Sequence, residues 1–302
     1  MVASDNTEPA PSAATAAPPI IDEAAPLLRR YDVLFSDIWG VIHDGHTAHR
    51  GAVDALLRFR AGGGTVILVS NAPVPEHRVA SMLDYRHVPR AAWDAIVCSG
   101  AIALRHIAER GYRRAYNVGP RDRDGAFFEM SPATDAPLDE AEAFVCTGLV
   151  DDVNETPEDY RPLLEAAYAR RLPFVCANPD FVVDVGTKLY YCAGAIADIY
   201  AALGGSVFWA GKPHPIAYAT AHTEAERIRG GAIPQNRILV VGDSLRTDLT
   251  AAANAGLDAL FIAGGIHRGE IVEDGEIVPE KLQRLFAPGS PPALAAMSVL
   301  RW

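Results

Sequence analysis

Residues 35–45 read FSDIWGVIHDG, and the fold of the chain can be predicted outward from this stretch. Asp37 closes the apolar run YDVLFSD (31–37), and a turn that contains Gly40 follows at once. A short apolar run of this kind predicts a strand buried inside a parallel sheet. The end of such a strand is where a nucleophilic carboxylate can be presented. Two residues later, where a second carboxylate would be useful, the chain has Trp39.

Strand-like and helix-like segments alternate on both sides of this stretch. After the first strand come a helical pattern and the β-branched run TVILVSN (65–71), then a second helical pattern and DAIVCSG (94–100). The alternation recurs near the C-terminus around RILVVGDS (237–244) and LDALFIAGG (257–265). Alternation at such short intervals predicts an α/β fold with an open, doubly wound parallel sheet.

The segment between these two halves is too long to be a loop of a compact domain. It has strand-like runs and a helical pattern of its own, which predict a second α/β domain inserted into the first. The expected organisation is a flexible tail at 1–24, a core domain at 25–112 and 207–302, and an inserted cap domain at 113–206.

Composition excludes several classes of function. The chain has 302 residues, of which 49% are apolar, so it can bury a sizeable core and is not globally disordered. Its formal net charge of −11, without a basic run, argues against binding to nucleic acid or to an anionic membrane. No apolar run approaches the ~18–20 residues of a membrane span. The first 24 residues lack Lys, Arg and a continuous apolar stretch, so we interpret them as a tail and not as a secretory signal.

The cysteines indicate a reducing compartment. None of them forms a C-x-x-C pair, and each lies in an apolar, strand-like stretch, which favours buried free thiols. A cytoplasmic location is therefore expected. The residues are Cys98, Cys146, Cys176 and Cys192.

Several polar residues follow the predicted core strands directly. Asp37, the pair Ser70 and Asn71, and Asp243 each end or follow a strand, and Lys212 lies in a GKP segment before the next helix. In open α/β sheets, ligands bind beyond the carboxyl ends of the strands. We therefore expect a nucleophilic acid, a hydroxyl, an amide, a cation and a second acidic cluster to meet at one edge.

This set of side chains suits phosphoryl transfer. Asp37 can attack phosphorus and form an aspartyl-phosphate, provided that a hard cation such as Mg²⁺ offsets the charge repulsion. Asp37, Asp243 and a backbone carbonyl in the turn, that of Trp39, can supply oxygen ligands. Lys212 adds a fixed positive charge, and Asp248 can hold a metal-bound water or orient this lysine. Ser70, Asn71 and nearby backbone N–H groups are the candidates for holding the remaining phosphate oxygens.

The same residues resemble those of a known family. Four segments occur in the order of the four motifs of the haloacid dehalogenase (HAD) superfamily: DIWGV (37–41), VSNAP (69–73), GKP (211–213) and GDSLRTD (242–248). An insert between the second and third motifs contains ANPD (177–180) before YYCAGAIA (190–197), which is similar to class IIA, the branch of NagD-like and p-nitrophenyl-phosphatase-like proteins.

The resemblance implies a fold and a set of roles. It implies a Rossmann-like core with an inserted cap, and a Mg²⁺-dependent phosphatase that acts on a small phosphorylated metabolite and can form a homodimer through the cap. Further roles are implied residue by residue: Asp37 is the nucleophile, Ser70 binds phosphate, Lys212 neutralises charge, Asp243 ligates Mg²⁺ and Asp248 lies in its outer shell. Asn178 and Asp180 are implied to lie in the substrate-facing region of the cap.

Trp39 departs from the family pattern, and its side chain is expected to pack under the cap, where it excludes water, or to contact the substrate. Most phosphatases of the family carry a second Asp at this position, which protonates the leaving group and then activates water. Without it, we expect either a preference for good leaving groups, such as acyl or aryl phosphates, or slow hydrolysis of the aspartyl-phosphate. His43, Asp44 and His214 are candidates for a substitute acid. The spacing of the histidines near the turn does not favour a zinc site.

Two other functions are compatible with part of the sequence. A dehalogenase would use the same Asp nucleophile without a second Asp, but it would gain nothing from the acidic segment GDSLRTD. A regulatory protein that binds phosphate and Mg²⁺ with little turnover is also compatible with Trp39.

Overall fold

The computed structural model of the protein describes residues 17–185 and 188–302. The prediction of a flexible tail for residues 1–16 lies outside the described residues.

Strands and helices alternate along most of the described chain. In chain order, the strands are β1 (Val33–Ser36), β2 (Thr65–Ser70), β3 (Ala95–Cys98), β4 (Arg114–Val118), β5 (Thr134–Asp135), β6 (Ala143–Cys146), β7 (Phe174–Cys176), β8 (Val182–Val185), β9 (Lys188–Tyr191), β10 (Val207–Trp209), β11 (Ile238–Gly242), β12 (Asp258–Ile262), β13 (Val272–Glu273), β14 (Glu276–Ile277) and β15 (Ala295–Met297). The α-helices are α1 (Ala25–Leu28), α2 (Arg50–Ala61), α3 (Glu76–Tyr85), α4 (Ser99–Arg110), α5 (Arg121–Met130), α6 (Arg161–Ala169), α7 (Ala193–Ala202), α8 (Ile216–Arg229), α9 (Thr250–Ala255), α10 (Arg268–Ile271) and α11 (Pro279–Leu285).

The larger sheet is parallel throughout the described chain, in the order β15-β12-β11-β1-β2-β3. The chain winds outward from β1 to β3 in one direction and from β11 to β15 in the other. The order therefore reverses between β1 and β11, where doubly wound sheets bind their ligands. The predicted doubly wound α/β core is confirmed.

The strands of this sheet are apolar at successive positions because both faces are covered. Phe35 and Val240 pack into one core cluster, whereas Leu34 and Val241 pack into the other on the opposite face. Helix α2 covers the second face with its buried residues Ala52, Ala55, Leu56 and Phe59. The polar residues Asp37 and Asp243 follow directly where the buried strands β1 and β11 end.

The inserted segment forms a second parallel sheet, in the order β10-β7-β6-β4-β5. Its core contains Phe144, Phe174 and Tyr200, whose rings pack on one another. Strand β10 belongs to this sheet, since Val207–Trp209 pairs with Phe174–Cys176. The expected division at 206/207 is therefore wrong by at least one strand, because these residues extend the cap sheet and not the core.

Strands β8 and β9 form an antiparallel pair outside both large sheets. We call this pair, Val182–Val185 with Lys188–Tyr191, the cap hairpin.

The segment before α1 is part of the core. The N–H of Ile21 donates to the carbonyl of Ala296 and that of Ala24 to the carbonyl of Arg301, each at 2.9 Å. Ala24 is fully buried. The prediction of a flexible tail is therefore wrong for residues 17–24, since the backbone around Ile20 pairs with Ala296 in the edge strand β15.

Within the described ranges, no helix is both long enough and apolar enough to cross a membrane.

Candidate active site

Asp37 and Asp243 follow the two central strands of the larger sheet. Asp37 comes directly after β1, and its N–H donates to the carbonyl of Val241 at 2.8 Å, which continues the pairing with β11. Asp243 comes directly after β11. Both residues are at least nine-tenths buried. The structure thus brings these predicted site residues together at the point where the strand order reverses.

Lys212 lies between carboxylates in the interior. Its ammonium group donates to Oδ1 of Asp37 at 2.7 Å, to Oδ1 of Asp248 at 2.6 Å and to the carbonyl of Val69 at 3.0 Å. Burial alone would lower the pKa of Lys212, but the carboxylates of Asp248 and Asp37 outweigh it and hold this pKa well above its usual value. We therefore expect Lys212 to be protonated, and its role in neutralising charge at a phosphate stays a prediction.

Asp37, Asp243 and Asp248 form a group that we call the acidic cluster. One carboxylate oxygen from each lies within 4.8 Å of the others, so the three could hold a metal ion together. Burial raises the pKa of Asp37 to about 7 against the opposing effect of Lys212. Burial, with the charges of Asp37 and Asp248, also raises the pKa of Asp243 well above its usual value.

The charges of the acidic cluster do not balance with Lys212 alone. Lys212 forms ion pairs with Asp37 and Asp248, while Asp243 is buried beside them. Without a further cation the excess charge is costly, which is why the pKa values of Asp37 and Asp243 are raised. A hard divalent cation prefers carboxylate and carbonyl oxygens. The donor set therefore fits a hard divalent cation.

Two glycines allow the backbone to approach Asp243 closely. A Cβ atom at Gly40, where φ is +82°, would lie 2.0 Å from Oδ2 of Asp243, and one at Gly265 would lie 1.9 Å from the same oxygen. This oxygen accepts a hydrogen bond of 2.7 Å from the N–H of Ile266. The turn after β1 and the loop after β12 thus clamp one carboxylate from two sides.

Asp248 is presented by a π-helical turn, Leu245–Leu249, that precedes α9. The hydroxyl of Ser244 begins this turn by accepting a hydrogen bond from the N–H of Thr247 at 3.2 Å. While Oδ1 of Asp248 accepts from Lys212, Oδ2 accepts from the N–H of Ser244 at 3.3 Å. Asp248 therefore orients Lys212 and the loop after β11 at once. Single π-helical turns are frequent at functional sites.

Ser70 and Asn71, at the end of β2, both line the cavity but differ in their hydrogen-bond partners. Ser70 lines the cavity, and its hydroxyl accepts a hydrogen bond from the N–H of Ala72 at 3.2 Å. The amide of Asn71 donates to Oδ1 of Asp180 and to the carbonyl of Lys212, both at 2.9 Å, and accepts from the N–H of Lys212 at 2.8 Å. Asn71 thus joins three segments, and a role in phosphate binding stays a prediction.

The two predicted cap residues differ in their position. Asp180 lines the cavity, and burial raises its pKa although the amide of Asn71 donates to it. Asn178 is buried and its side-chain oxygen accepts a hydrogen bond from the N–H of Asp180 at 3.1 Å, which shapes the turn. The structure therefore places Asp180 at the cavity beside Asn71 and Lys212. Asn178 lies next to Asp180 and supports its backbone.

Trp39 reaches from the core to the cap. Its indole N–H donates to the backbone carbonyl of Asp184, in β8, at 2.9 Å. The ring also lines the cavity. The residue in the position of the second Asp is therefore a contact between the two halves of the molecule.

The candidates for a substitute acid are poorly suited to that role. Burial, with the charge of Arg86, lowers the pKa of His43 to about 4, and its Nδ1 accepts from the N–H of Gly45. Burial would raise the pKa of Asp44, but hydrogen bonds from the backbone of Thr47 and His46 lower it to about 2. His214 stacks on Trp209, with ring centroids 5.0 Å apart, and burial lowers its pKa.

A cavity of about 740 Å³ opens above the acidic cluster, between the core and the cap. Phe181, Val182, Val183 and Leu189 of the cap line one side of it together with Trp39. Its volume suits a small organic ligand.

Several cavity residues were missed by the sequence analysis. Arg246 lies 5.1 Å over the ring of Phe181 and forms an ion pair of 3.2 Å with Asp198 of α7. Arg246 lies inside the motif GDSLRTD, where its basic charge was a usable signal. The pair Gly264–Gly265 directly after a strand was a second usable signal, because adjacent glycines mark a place where the backbone approaches another group closely.

Two family models match the chain. The model described as haloacid dehalogenase-like hydrolase covers residues 34–129, and the one described as HAD-hydrolase-like covers residues 209–285. The two matches lie on either side of most of the inserted segment.

Known proteins resemble the chain over most of its length. A haloacid dehalogenase-like hydrolase from Brucella suis is 40% identical, covers 93% of this chain and all of its own, and superposes with a TM-score of 0.81. The ribonucleotide monophosphatase NagD of Escherichia coli is 27% identical over 76% of this chain and 86% of its own. The glycerol phosphate phosphatase of Mycobacterium tuberculosis, solved in complex with calcium, is 26% identical over 80% of this chain and 68% of its own, with a TM-score of 0.58. The chain therefore belongs to the haloacid dehalogenase-like hydrolases, in the class IIA branch that includes the NagD-like proteins.

Proposed function

We propose that the protein is a Mg²⁺-dependent phosphatase that acts on a small organic phosphate through an aspartyl-phosphate on Asp37. The observation that carries this proposal is the buried arrangement of Asp37, Lys212 and Asp248 beside Asp243, at the floor of a cavity between the core and the cap. The relatives named as phosphatases support the same type of reaction.

The proposed reaction has two steps. A carboxylate oxygen of Asp37 forms a bond to phosphorus while the bond from phosphorus to the leaving-group oxygen breaks. Water then attacks the aspartyl-phosphate, which releases phosphate and restores the carboxylate. Lys212 holds positive charge beside Asp37 throughout, and Asp248 keeps its ammonium group in place. Ser70 is proposed to face the phosphate oxygens. Asn71 is predicted to face them as well.

Asp37, Asp243 and the backbone carbonyl of Trp39 would hold Mg²⁺, with Asp248 outside them. The bound cation would supply positive charge to the phosphate oxygens and so reduce their repulsion from Asp37. Calcium in the mycobacterial relative supports a divalent cation in this family.

Proton transfer to the leaving group is the weak step of the proposed reaction. Trp39 has no titratable group, and Asp44, with its low pKa, is a poor proton donor. We therefore propose a preference for acyl or aryl phosphates, whose leaving groups need little protonation. If water attack also lacks a base, the aspartyl-phosphate accumulates.

The substrate is proposed to be a small phosphorylated metabolite, because the cavity has the size of a site for a small molecule. The buried thiols of Cys98, Cys146, Cys176 and Cys192 fit a cytoplasmic location. A homodimer through the cap stays a prediction.

The proposal is tested with p-nitrophenyl phosphate in the presence of Mg²⁺ and of EDTA. We expect Mg²⁺-dependent release of p-nitrophenol, and a loss of about 10³-fold or more in Asp37→Asn because the nucleophile is absent. Asp54→Asn is the matched control, since Asp54 lies on the surface of α2 in an exposed ion pair with Arg58. Equal inactivity of wild type and Asp37→Asn across a panel of phosphates would favour the regulatory protein instead.

A further inference from the structure

Trp39 connects the active-site turn with the cap hairpin. We propose that Trp39 is a positioning residue that holds the cap hairpin over Asp37 and makes the leaving-group side of the cavity an apolar wall. The consequence for substrates rests on the proposed function, whereas the consequence for the hairpin does not.

The indole ring is supported from the core side by the loop that follows it. A Cβ atom at Gly45, where φ is +93°, would lie 2.7 Å from Cζ2 of Trp39, so the ring lies directly against the backbone. The ring of His43 meets it edge-on, with centroids 5.1 Å apart. Nε of Arg86, at the end of α3, donates to the carbonyl of Gly45 at 3.1 Å and fixes the loop. The indole therefore has little freedom to turn away from the cap.

On the cap side, the acceptor is a backbone group of the hairpin. Asp184, whose carbonyl accepts from the indole, pairs with Leu189 across the hairpin. Leu189 lines the cavity although two-thirds of its side chain is exposed. A displacement of β8 would therefore move the apolar wall as well.

Two other contacts hold the segment just before the hairpin. Oδ1 of Asp180 accepts from Asn71, and Arg246 lies over the ring of Phe181. Both lie where the chain enters the hairpin. The Trp39 contact is made further along β8, so it adds a separate point at which the core holds the hairpin.

A carboxylate at position 39 could not make this contact, because an ionised carboxylate only accepts hydrogen bonds. The position can thus provide either a titratable acid or a donor to the cap. With indole there, the leaving group meets Trp39, Phe181 and Leu189. This wall suits a phosphate ester with a flat, apolar leaving group, such as an aryl phosphate.

Trp39→Phe removes the N–H donor but keeps an aromatic ring. One measurement is hydrogen–deuterium exchange of the amides in β8 and β9. The other is KM for p-nitrophenyl phosphate and for acetyl phosphate, which lacks a ring. We expect exchange in the hairpin to rise about 2- to 10-fold, as the loss of one neutral hydrogen bond allows. KM for p-nitrophenyl phosphate should rise by a similar factor, and that for acetyl phosphate by less than about twofold.

Trp93→Phe is the matched control, because Trp93 is fully buried in the core away from the cap. It should leave hairpin exchange and both KM values unchanged. Unchanged hairpin exchange in Trp39→Phe, or an equal rise in Trp93→Phe, would overturn the positioning role. An equal rise of both KM values would overturn the role in substrate choice. Faster exchange in a protein without any phosphatase activity would support the positioning role and contradict only the proposed function.

Discussion

At the scale of single residues, Lys212 makes the acidic cluster possible. Its ammonium group is buried and contacts both Asp37 and Asp248. Removal of one member of a buried ionic group leaves the other charges without compensation, which typically costs about 3–5 kcal/mol. The lysine therefore has a structural role in addition to its proposed role at the phosphate.

Lys212→Met should lose activity and, at pH 8 without metal, about 3–5 kcal/mol of the free energy of unfolding. The loss should be smaller at pH 5, where the carboxyl groups can take up protons. Urea unfolding at the two pH values measures it. Lys281→Met is the control, because Lys281 forms a surface ion pair with Glu273. A similar small effect of both substitutions would show that Lys212 does not compensate the cluster.

The sequence predicted which residues meet at the site, but not the hydrogen bonds between them. Asp37, Asp243 and Lys212 could be found because strand ends and motif order place them at one edge of the sheet. Asn71 was also predicted at this edge, but its hydrogen bonds with Asp180 and Lys212 were not. Such contacts join segments more than a hundred residues apart, and no local pattern reports them.

At the scale of elements, the loops after β1 and β12 determine how closely the backbone surrounds Asp243. Gly265 matters most here, since a Cβ atom there would lie 1.9 Å from Oδ2 and 2.5 Å from Cγ of Asp243. The carboxylate would have to move away from the position in which it accepts from Ile266. The loop geometry thus sets the position of a proposed metal ligand.

Gly265→Ala should weaken Mg²⁺ binding about 10- to 100-fold, the usual cost of disturbing the groups that orient a ligand. Isothermal titration calorimetry of the metal-free protein gives the affinity. Gly269→Ala is the matched control, because its added Cβ would meet no atom within 4 Å. Equal affinities of the two variants would mean that Asp243 is not held by this loop, or that it is not a ligand.

The helices and strands were predictable where the spacing of apolar residues along the sequence matches the side that is buried. Helix α2 follows its helical pattern. The core strands follow theirs, because strands covered on both faces are apolar throughout. Strand β10 and the segment 17–24 were assigned to the wrong part of the molecule. For β10 the reason is that a run of three residues does not indicate which sheet it joins.

At the scale of the whole molecule, the inserted cap completes the cavity. The order of the motifs identified the core. The position of the cap hairpin depends on contacts between distant segments, such as that of Trp39 with Asp184, and no local sequence pattern predicts them. The core and the cap together enclose the acidic cluster within a chain of net charge −11. A bound cation should therefore stabilise the entire fold.

Mg²⁺ should raise the melting temperature of the wild-type protein, by about 5 °C at a metal concentration of a hundred times Kd. The rise should be larger at pH 8 than at pH 5. The metal-free fold raises the pKa of Asp37 to about 7, from an ordinary value near 4, so this group binds more protons when folded. Its contribution to stability is then lost as pH rises through 7, and protons compete with the metal below that pH.

Differential scanning fluorimetry at pH 5 and pH 8, with and without Mg²⁺, measures this dependence. Asp243→Asn removes a proposed ligand and should lose most of the Mg²⁺-dependent rise at pH 8. Asp54→Asn should keep it, because Asp54 lies on the exposed surface of α2. A rise that is as large in Asp243→Asn as in wild type, or one that is larger at pH 5, would place the cation away from the acidic cluster.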